Sequence, residues 1–331
     1  QNLNRFSNSV AYQHQAAGNM ASATAWSDDS QIPCELKVML EAARSAGCEI
    51  RSSWLSRVAA SGQGVESSSS SGLGTSETVL KANTADLQTE TDRKCEVIVR
   101  NMLHEAFPDH LFIGEEDVAA NDGVYNVTSA KTFIIDPIDG TTNFVHTAMT
   151  CTVLVAMMED KKITRAVILD PIHQEVFFGW RGGGAWLQQL NTSLDGVGVP
   201  IRMHTSSTTE LTMAVVATDI GSRRESAGVE PFLKLQRELL VERKIRGLRI
   251  CGGCGIGLAM VAAGRIDCYV ELDSPYIWDY AAGSLLIEEA GGTACEPLQG
   301  GSIDLMKRDI LGASTKALAE VVVEAVQASA K

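Results

Sequence analysis

The chain has 331 residues, with 28 Lys and Arg against 41 Asp and Glu, a formal charge of −13 and a mean hydropathy near zero. That balance argues against a nucleic-acid backbone as the main partner, since such binding rests on clustered cations, and no apolar run reaches the roughly 18 residues of a membrane span. The chain therefore reads as globular, with a sizeable core, no nucleic-acid partner and no membrane segment; an anionic ligand would have to be met through bound cations.

Residues 1–33 are polar and lack apolar periodicity, which predicts a disordered tail. From Cys34 to about Ala60, apolar residues at Leu36, Met39, Leu40, Ala43, Cys48, Ile50, Trp54 and Leu55 recur at helical spacing. A Ser/Gly stretch over 61–78 then predicts a flexible loop. "TETDRKCEVIVRNMLHEAFPDH" carries a Thr/Asp helix start and a proline after its end. "LFIGEED" reads as a strand running into acids.

The stretch "FIIDPIDGTTNF" (133–144) is a hydrophobic run that ends in two aspartates three positions apart. "CTVLVAMME", "TRAVILDP" and "EVFFGWR" come next as strands, the last two joined through a hairpin connection. Downstream, strands and helices alternate: "MAVVATD", a helix from Pro231, "GCGIGLAMVAAG", "IDCYVEL", "DYAAGSLLIEEAGG", "DILGAS" and a closing helix. The expected fold is therefore α/β (α+β), a layered αβαβα sandwich, with an antiparallel-rich sheet in the first half and a mixed α/β second half. Subdomains are expected at about 34–205 and 206–331.

The eight cysteines, spread through apolar segments, read as free thiols in a reducing compartment, which points to the cytoplasm. Cys251 and Cys254 form a C-x-x-C with no second pair and no histidine beside it, a poor basis for a zinc or redox site.

Three strand-like runs end in acids: Glu115, Glu116 and Asp117; Asp136 and Asp139; and Asp279 in "YIWDY". Carboxylates and backbone carbonyls are the hard ligands of Mg²⁺. Pro137 stiffens the turn, so that Asp136, the Ile138 carbonyl and Asp139 could converge on an ion. Asp139 also stands where a helix N-cap would, and Gly140 permits close backbone approach at a helix start, where an anion can bind. Aspartyl-phosphate phosphatases of the haloacid dehalogenase type also carry Asp-Gly-Thr, but space their aspartates by two; a spacing of three favours activated water over a covalent aspartyl intermediate.

"GEED", "FIIDPIDGTTNFVH" and "WDYAAGSLLIEEAGG", supported by "VLKANTADLQTETD" and "LMKRDILGAS", resemble the inositol monophosphatase family of metal-dependent, lithium-sensitive sugar phosphatases. The resemblance covers 34–331. It implies Mg²⁺-dependent hydrolysis of a small phosphorylated polyol, inositol monophosphate first, with about two or three ions per site and a homodimer. Glu115, Asp136, Ile138, Asp139 and Asp279 match metal ligands, and Glu116 an outer or third-ion position. Glu115 and Thr141 match the pair that activates water. Asp139, Gly140, Thr141, Cys254, Glu271 and Asp279 match substrate contacts, while Lys81 and Asp92 match charged residues near the site. Related substrates are fructose 1,6-bisphosphate, histidinol phosphate and a nucleotide 3′-phosphate. A metal- and phosphate-binding regulator without catalysis is the rival of a different class.

Overall fold

The computed structural model describes residues 31–62, 78–80, 87–120 and 124–330. The tail over 1–30, most of the Ser/Gly loop and Lys81 lie outside the described residues.

The first half runs through α1 (Cys34–Gly62), β1 (Thr78–Leu80), β2 (Leu87–Thr89), α2 (Glu90–Ala106), β3 (Leu111–Gly114) and α3 (Glu115–Ala120). It continues with β4 (Thr132–Asp139), α4 (Thr141–His146), β5 (Thr152–Glu159), β6 (Lys162–Asp170), β7 (Glu175–Trp180), β8 (Gly184–Leu190) and β9 (Gly196–Arg202). The second half holds β10 (Val215–Thr218), α5 (Ser226–Arg237), β11 (Gly247–Arg249), α6 (Cys254–Ala262) and β12 (Cys268–Glu271). It closes with α7 (Ile277–Glu289), β13 (Thr293–Cys295), β14 (Ile310–Ala313) and α8 (Lys316–Ser329).

Strands β3 to β9 form one seven-stranded sheet in chain order, antiparallel except for the parallel β3–β4 pair. The second sheet has the order β11-β10-β12-β14-β13 and mixes parallel with antiparallel pairs. The period of two in β4 and β5 divides the core between the two faces of the first sheet. Phe133, Ile135, Val153 and Val155 pack against Leu36, Met39 and Ile50 of α1 and Cys95 and Val99 of α2. Ile134, Leu154 and Ala156 face the opposite way, onto α6 and α7. Val216, Val270 and Leu311 then carry the outer face of the second sheet onto α5 and α8. The layers are thus helix, sheet, helix, sheet, helix, as the alternation of elements implied.

Several local details depart from the sequence reading. Acids 115–117 do not trail off a strand but open α3. Helix α5 starts at Ser226 and encloses Pro231, then runs into a π-helical turn over Glu238–Glu242 in which the Arg243 N–H reaches back to the Glu238 carbonyl. Strands β9, β11 and β13 were not foreseen: "GVGVPIR", "GLR" and "TAC" are too short, or too broken by Gly and Pro, to show alternation.

Candidate active site

Between β4 and β5 the register slips: Asp136 lies opposite Leu154, yet Asp139 lies opposite Thr152, so β4 carries one extra residue. In a regular strand, side chains three positions apart point to opposite faces. The bulge cancels that alternation and turns both aspartates to one side. Pro137, which has no N–H to contribute to the ladder, sits inside the bulge. The Asp136 carboxylate accepts the Ile138 N–H at 2.9 Å, which closes the turn locally.

Asp279 arrives from the first turn of α7, where its carboxylate accepts the Tyr276 N–H at 2.6 Å. Asp136, Asp139 and Asp279 each bring a carboxylate oxygen within 4.8 Å of the other two. Burial lifts the Asp136 and Asp279 carboxyls well above the usual range, and the neighbouring carboxylates, Glu115 among them, lift them further. Asp139 is pushed up to about 7 by burial, against the pull of the hydrogen bonds it accepts.

Those bonds show that Asp139 is not a helix cap. The residue before α4 is Gly140, in the left-handed region at φ 86°, and it contributes no side-chain bond. The Asp139 carboxylate accepts instead from Cys254 N (3.1 Å), Gly255 N (2.8 Å) and Thr152 Oγ1 (3.2 Å). It is held by the first turn of α6, whose free N–H groups favour a negative charge. Glycine is required where the two segments meet: a Cβ on Gly255 would lie 3.0 Å from Asp139 Oδ2 and 2.4 Å from Leu154 Cδ2, and one on Gly140 would lie 2.9 Å from the Gly252 carbonyl.

Thr141 opens α4 and donates its hydroxyl to the Ile138 carbonyl (3.0 Å) and to Asp92 Oδ1 (3.3 Å). Asp92 reaches this point from α2, where its other oxygen accepts the Thr89 N–H at 2.9 Å in a capping box. Glu115 and Glu116 line the same cavity from the start of α3. Glu271, at the end of β12, is buried and accepts the Tyr269 hydroxyl at 2.5 Å. Burial pushes its carboxyl up to about 7, aided by Asp219 and opposed by the hydroxyls of Tyr269 and Ser274. The cavity measures about 1040 Å³; Asp136, Asp139, Thr141, Cys254, Glu271 and Asp279 line it together, drawn from segments far apart in the chain.

Three supporting residues escaped the sequence reading. Glu96, buried on the inner face of α2, accepts the Glu116 N–H (2.8 Å) and the Asp117 N–H (3.1 Å), and so fixes the start of α3. Asn143 donates to the carbonyls of Thr150 (2.9 Å) and Cys251 (2.8 Å), tying α4 to the segment before α6. Asp219 accepts the Gly252 N–H at 2.6 Å from the other side. The one signal for Glu96 in the sequence was a charge between Cys95 and Val99 on an otherwise apolar helix face.

Residues 34–331 match the model of the inositol monophosphatase family. Inositol monophosphatase 2 of Solanum lycopersicum is 40% identical over 226 residues, 68% of this chain and 80% of that one. Inositol monophosphatase 2 of Homo sapiens is 35% identical over 247 residues, 75% and 81% of the two chains. Among solved structures, the extragenic suppressor protein suhB from Bartonella henselae superposes with a TM-score of 0.71 at 29% identity, covering 89% of this chain and 99% of its own.

Proposed function

The chain belongs to the inositol monophosphatase family and is a phosphoric monoester hydrolase, and from that premise we propose that it hydrolyses inositol monophosphate with Mg²⁺, using water as the nucleophile. The observation that carries this reading is the convergence of Asp136, Asp139 and Asp279 beside Thr141 at the floor of one cavity.

The donor set suits a hard divalent cation. Three carboxylates crowd within 4.8 Å in a protein of charge −13; burial raises all three, and neighbouring carboxylates raise Asp136 and Asp279 further; a cation at that point relieves both costs. Asp136, Asp139, Asp279, Glu115 and the Ile138 carbonyl would hold two such ions, with Glu116 available to a third. Bound there, magnesium supplies a Lewis acid that activates water at neutral pH and neutralises the charge of the departing oxygen.

The remaining work falls to the protein. Thr141 spends its proton on Asp92 and the Ile138 carbonyl, so its lone pairs accept a hydrogen bond from the attacking water and orient it. Glu115 takes the proton. The N–H groups of Gly140 and Thr141 meet the charge on the phosphoryl group being transferred. Glu271 receives a ring hydroxyl, and Cys254 packs against the ring. The eight cysteines are all free, in keeping with a cytoplasmic location. Among the described residues no helix is long and apolar enough to cross a membrane. Lithium inhibition and a homodimer complete the reading.

The test is a panel of sugar and inositol monophosphates with the purified protein, with and without Mg²⁺, read as kcat/KM. The reading expects metal-dependent phosphate release with inositol monophosphate at or near the top. No release from any member would favour the regulator without catalysis.

A further inference from the structure

The acids around the proposed cation sites have two origins. Asp136, Asp139 and Asp279 gather within 4.8 Å of one another, from β4 and α7. Glu115 and Glu116 line the same cavity from α3, a helix of six residues. A helix so short has little stability of its own, and its first turn leaves N–H groups in need of acceptors. Those acceptors belong to another helix. Glu96 of α2 takes the Glu116 N–H on Oε2 at 2.8 Å and the Asp117 N–H on Oε1 at 3.1 Å. The carboxylate also sits tightly against the end of β3, where a Cβ on Gly114 would lie 2.6 Å from Glu96 Oε1.

Glu96 is buried and stands behind the acids that line the cavity. It is the middle member of a stripe: Asp92, Glu96 and Arg100 lie four apart on α2 and so share one side of the helix. Beside it runs the apolar stripe of Cys95, Val99 and Leu103, which locks α2 into the core. Each polar member reaches a different part of the site. Asp92 accepts the Thr141 hydroxyl at 3.3 Å, Glu96 holds the start of α3, and Arg100 pairs with Asp117 in the first turn of α3. Arg100 also lies 5.1 Å from the centroid of the Phe112 ring in β3. One rigid helix thus fixes α3 relative to Thr141. The chemistry at 96 is specific, because two N–H groups need two acceptor oxygens, and glutamine offers only one together with an NH₂ group. A further carboxylate beside Glu115, Glu116 and Asp117 adds like charge, a cost that its hold on α3 explains.

We propose that Glu96 is a positioning residue of the metal centre: it sets the affinity of the cation sites that Glu115 and Glu116 complete, while the site among Asp136, Asp139 and Asp279 stands without it. This rests on the metal-dependent reading above and divides the centre into a part built into β4 and α7 and a part suspended from α2.

Binding of Mn²⁺ alone, with the free ion counted by its electron paramagnetic resonance signal, tests this without turnover. Glu96→Gln should weaken one class of site by about tenfold or more and leave another class within about twofold of wild type. Glu115→Gln should weaken the same class, and adding Glu96→Gln to it should cost about twofold at most, because the two residues act as a unit. Val99→Ala takes volume from the apolar stripe of α2; it should lower the melting temperature and leave every class of site unchanged. Arg100→Gln loosens the other tie to α3 and should give a milder loss in the class that depends on Glu96, which keeps the test open if Glu96→Gln does not fold. In turnover, Glu96→Gln should raise the Mg²⁺ required for half-maximal rate by about tenfold, and saturating Mg²⁺ should restore most of kcat. Equal weakening of all sites, no weakening, or losses that add in the double variant overturn the positioning role. A wild type that binds no Mn²⁺ overturns it together with the metal-dependent reading. Selective loss in Glu96→Gln, without phosphate release by the wild type from any sugar phosphate, upholds it and overturns hydrolysis alone.

Discussion

Asp139 accepts the backbone N–H of Gly255 at 2.8 Å, across 116 residues of sequence, and this bond joins the end of β4 to the start of α6. The approach leaves no room for a side chain at 255. Gly255→Ala must push either Leu154 or the Asp139 carboxylate aside. Overpacking of this kind costs about 1–3 kcal/mol, and the displaced carboxylate weakens the cation site. Urea unfolding and Mg²⁺ titration of the activity measure the two effects separately; wild-type values in both would show that the contact is slack.

Asp136→Asn removes a carboxylate from the centre of the cluster. Metal-assisted stabilisation amounts to several kcal/mol at the transition state, so turnover falls by about 10²-fold or more. The thermal stabilisation conferred by Mg²⁺ should disappear with it, while the metal-free melting temperature holds or rises, because one crowded charge is gone. Near-normal turnover would sink the metal assignment.

Thr141→Ala deletes the hydroxyl that links Asp92 and the Ile138 carbonyl to the cleft. Positioned proton-transfer groups contribute about 10²–10⁴-fold, so kcat drops by about that range with KM little changed. Thr141→Ser restores most of it. A rise in KM at constant kcat would refute water positioning.

Glu271→Gln tests the alcohol end. The loss in kcat/KM should be about tenfold greater for inositol monophosphate than for a small aryl phosphate, because only the former offers a ring hydroxyl. Tyr269→Phe, which removes the hydroxyl bonded to Glu271, should show a weaker form of the same bias. Equal losses on both substrates would place Glu271 away from the ring.

Stability without metal should fall as pH rises. Burial lifts both Asp139 and Glu271 to about 7, against about 4 in an unfolded chain. Between those values the native state binds more protons than the unfolded state, so the unfolding free energy decreases with pH and levels off above about 7. In chelator, the melting temperature should drop by about 5 °C or more from pH 5 to 7, and Mg²⁺ should cancel most of the drop. A flat or rising profile in chelator would contradict the burial of these carboxyls.

Much of this protein was legible locally. The apolar spacing from Leu36 to Trp54 specified α1 because one helix face repeats every three to four residues, and the capping pattern of Thr89 and Asp92 specified the start of α2. The three acidic segments stood out because a hydrophobic strand has no local reason to end in paired carboxylates. Other parts left no local trace. Glu96 looked like an ordinary helical glutamate until α3 was laid against it, and Asp139 looked like a cap until its oxygens met the amides of α6.

By itself, the sequence determined the layered fold, the family and the acids at the floor of the cavity, since periodicity and contiguous motifs are properties of neighbours along the chain. Only the tertiary structure decided that Asp136 and Asp139 face the same way, because the bulge that aligns them is defined by pairing with β5. It also decided that the Asp139 carboxylate meets the first turn of α6. Those two segments lie 116 residues apart in sequence, and what they share is a place in space, which no local pattern of side chains encodes.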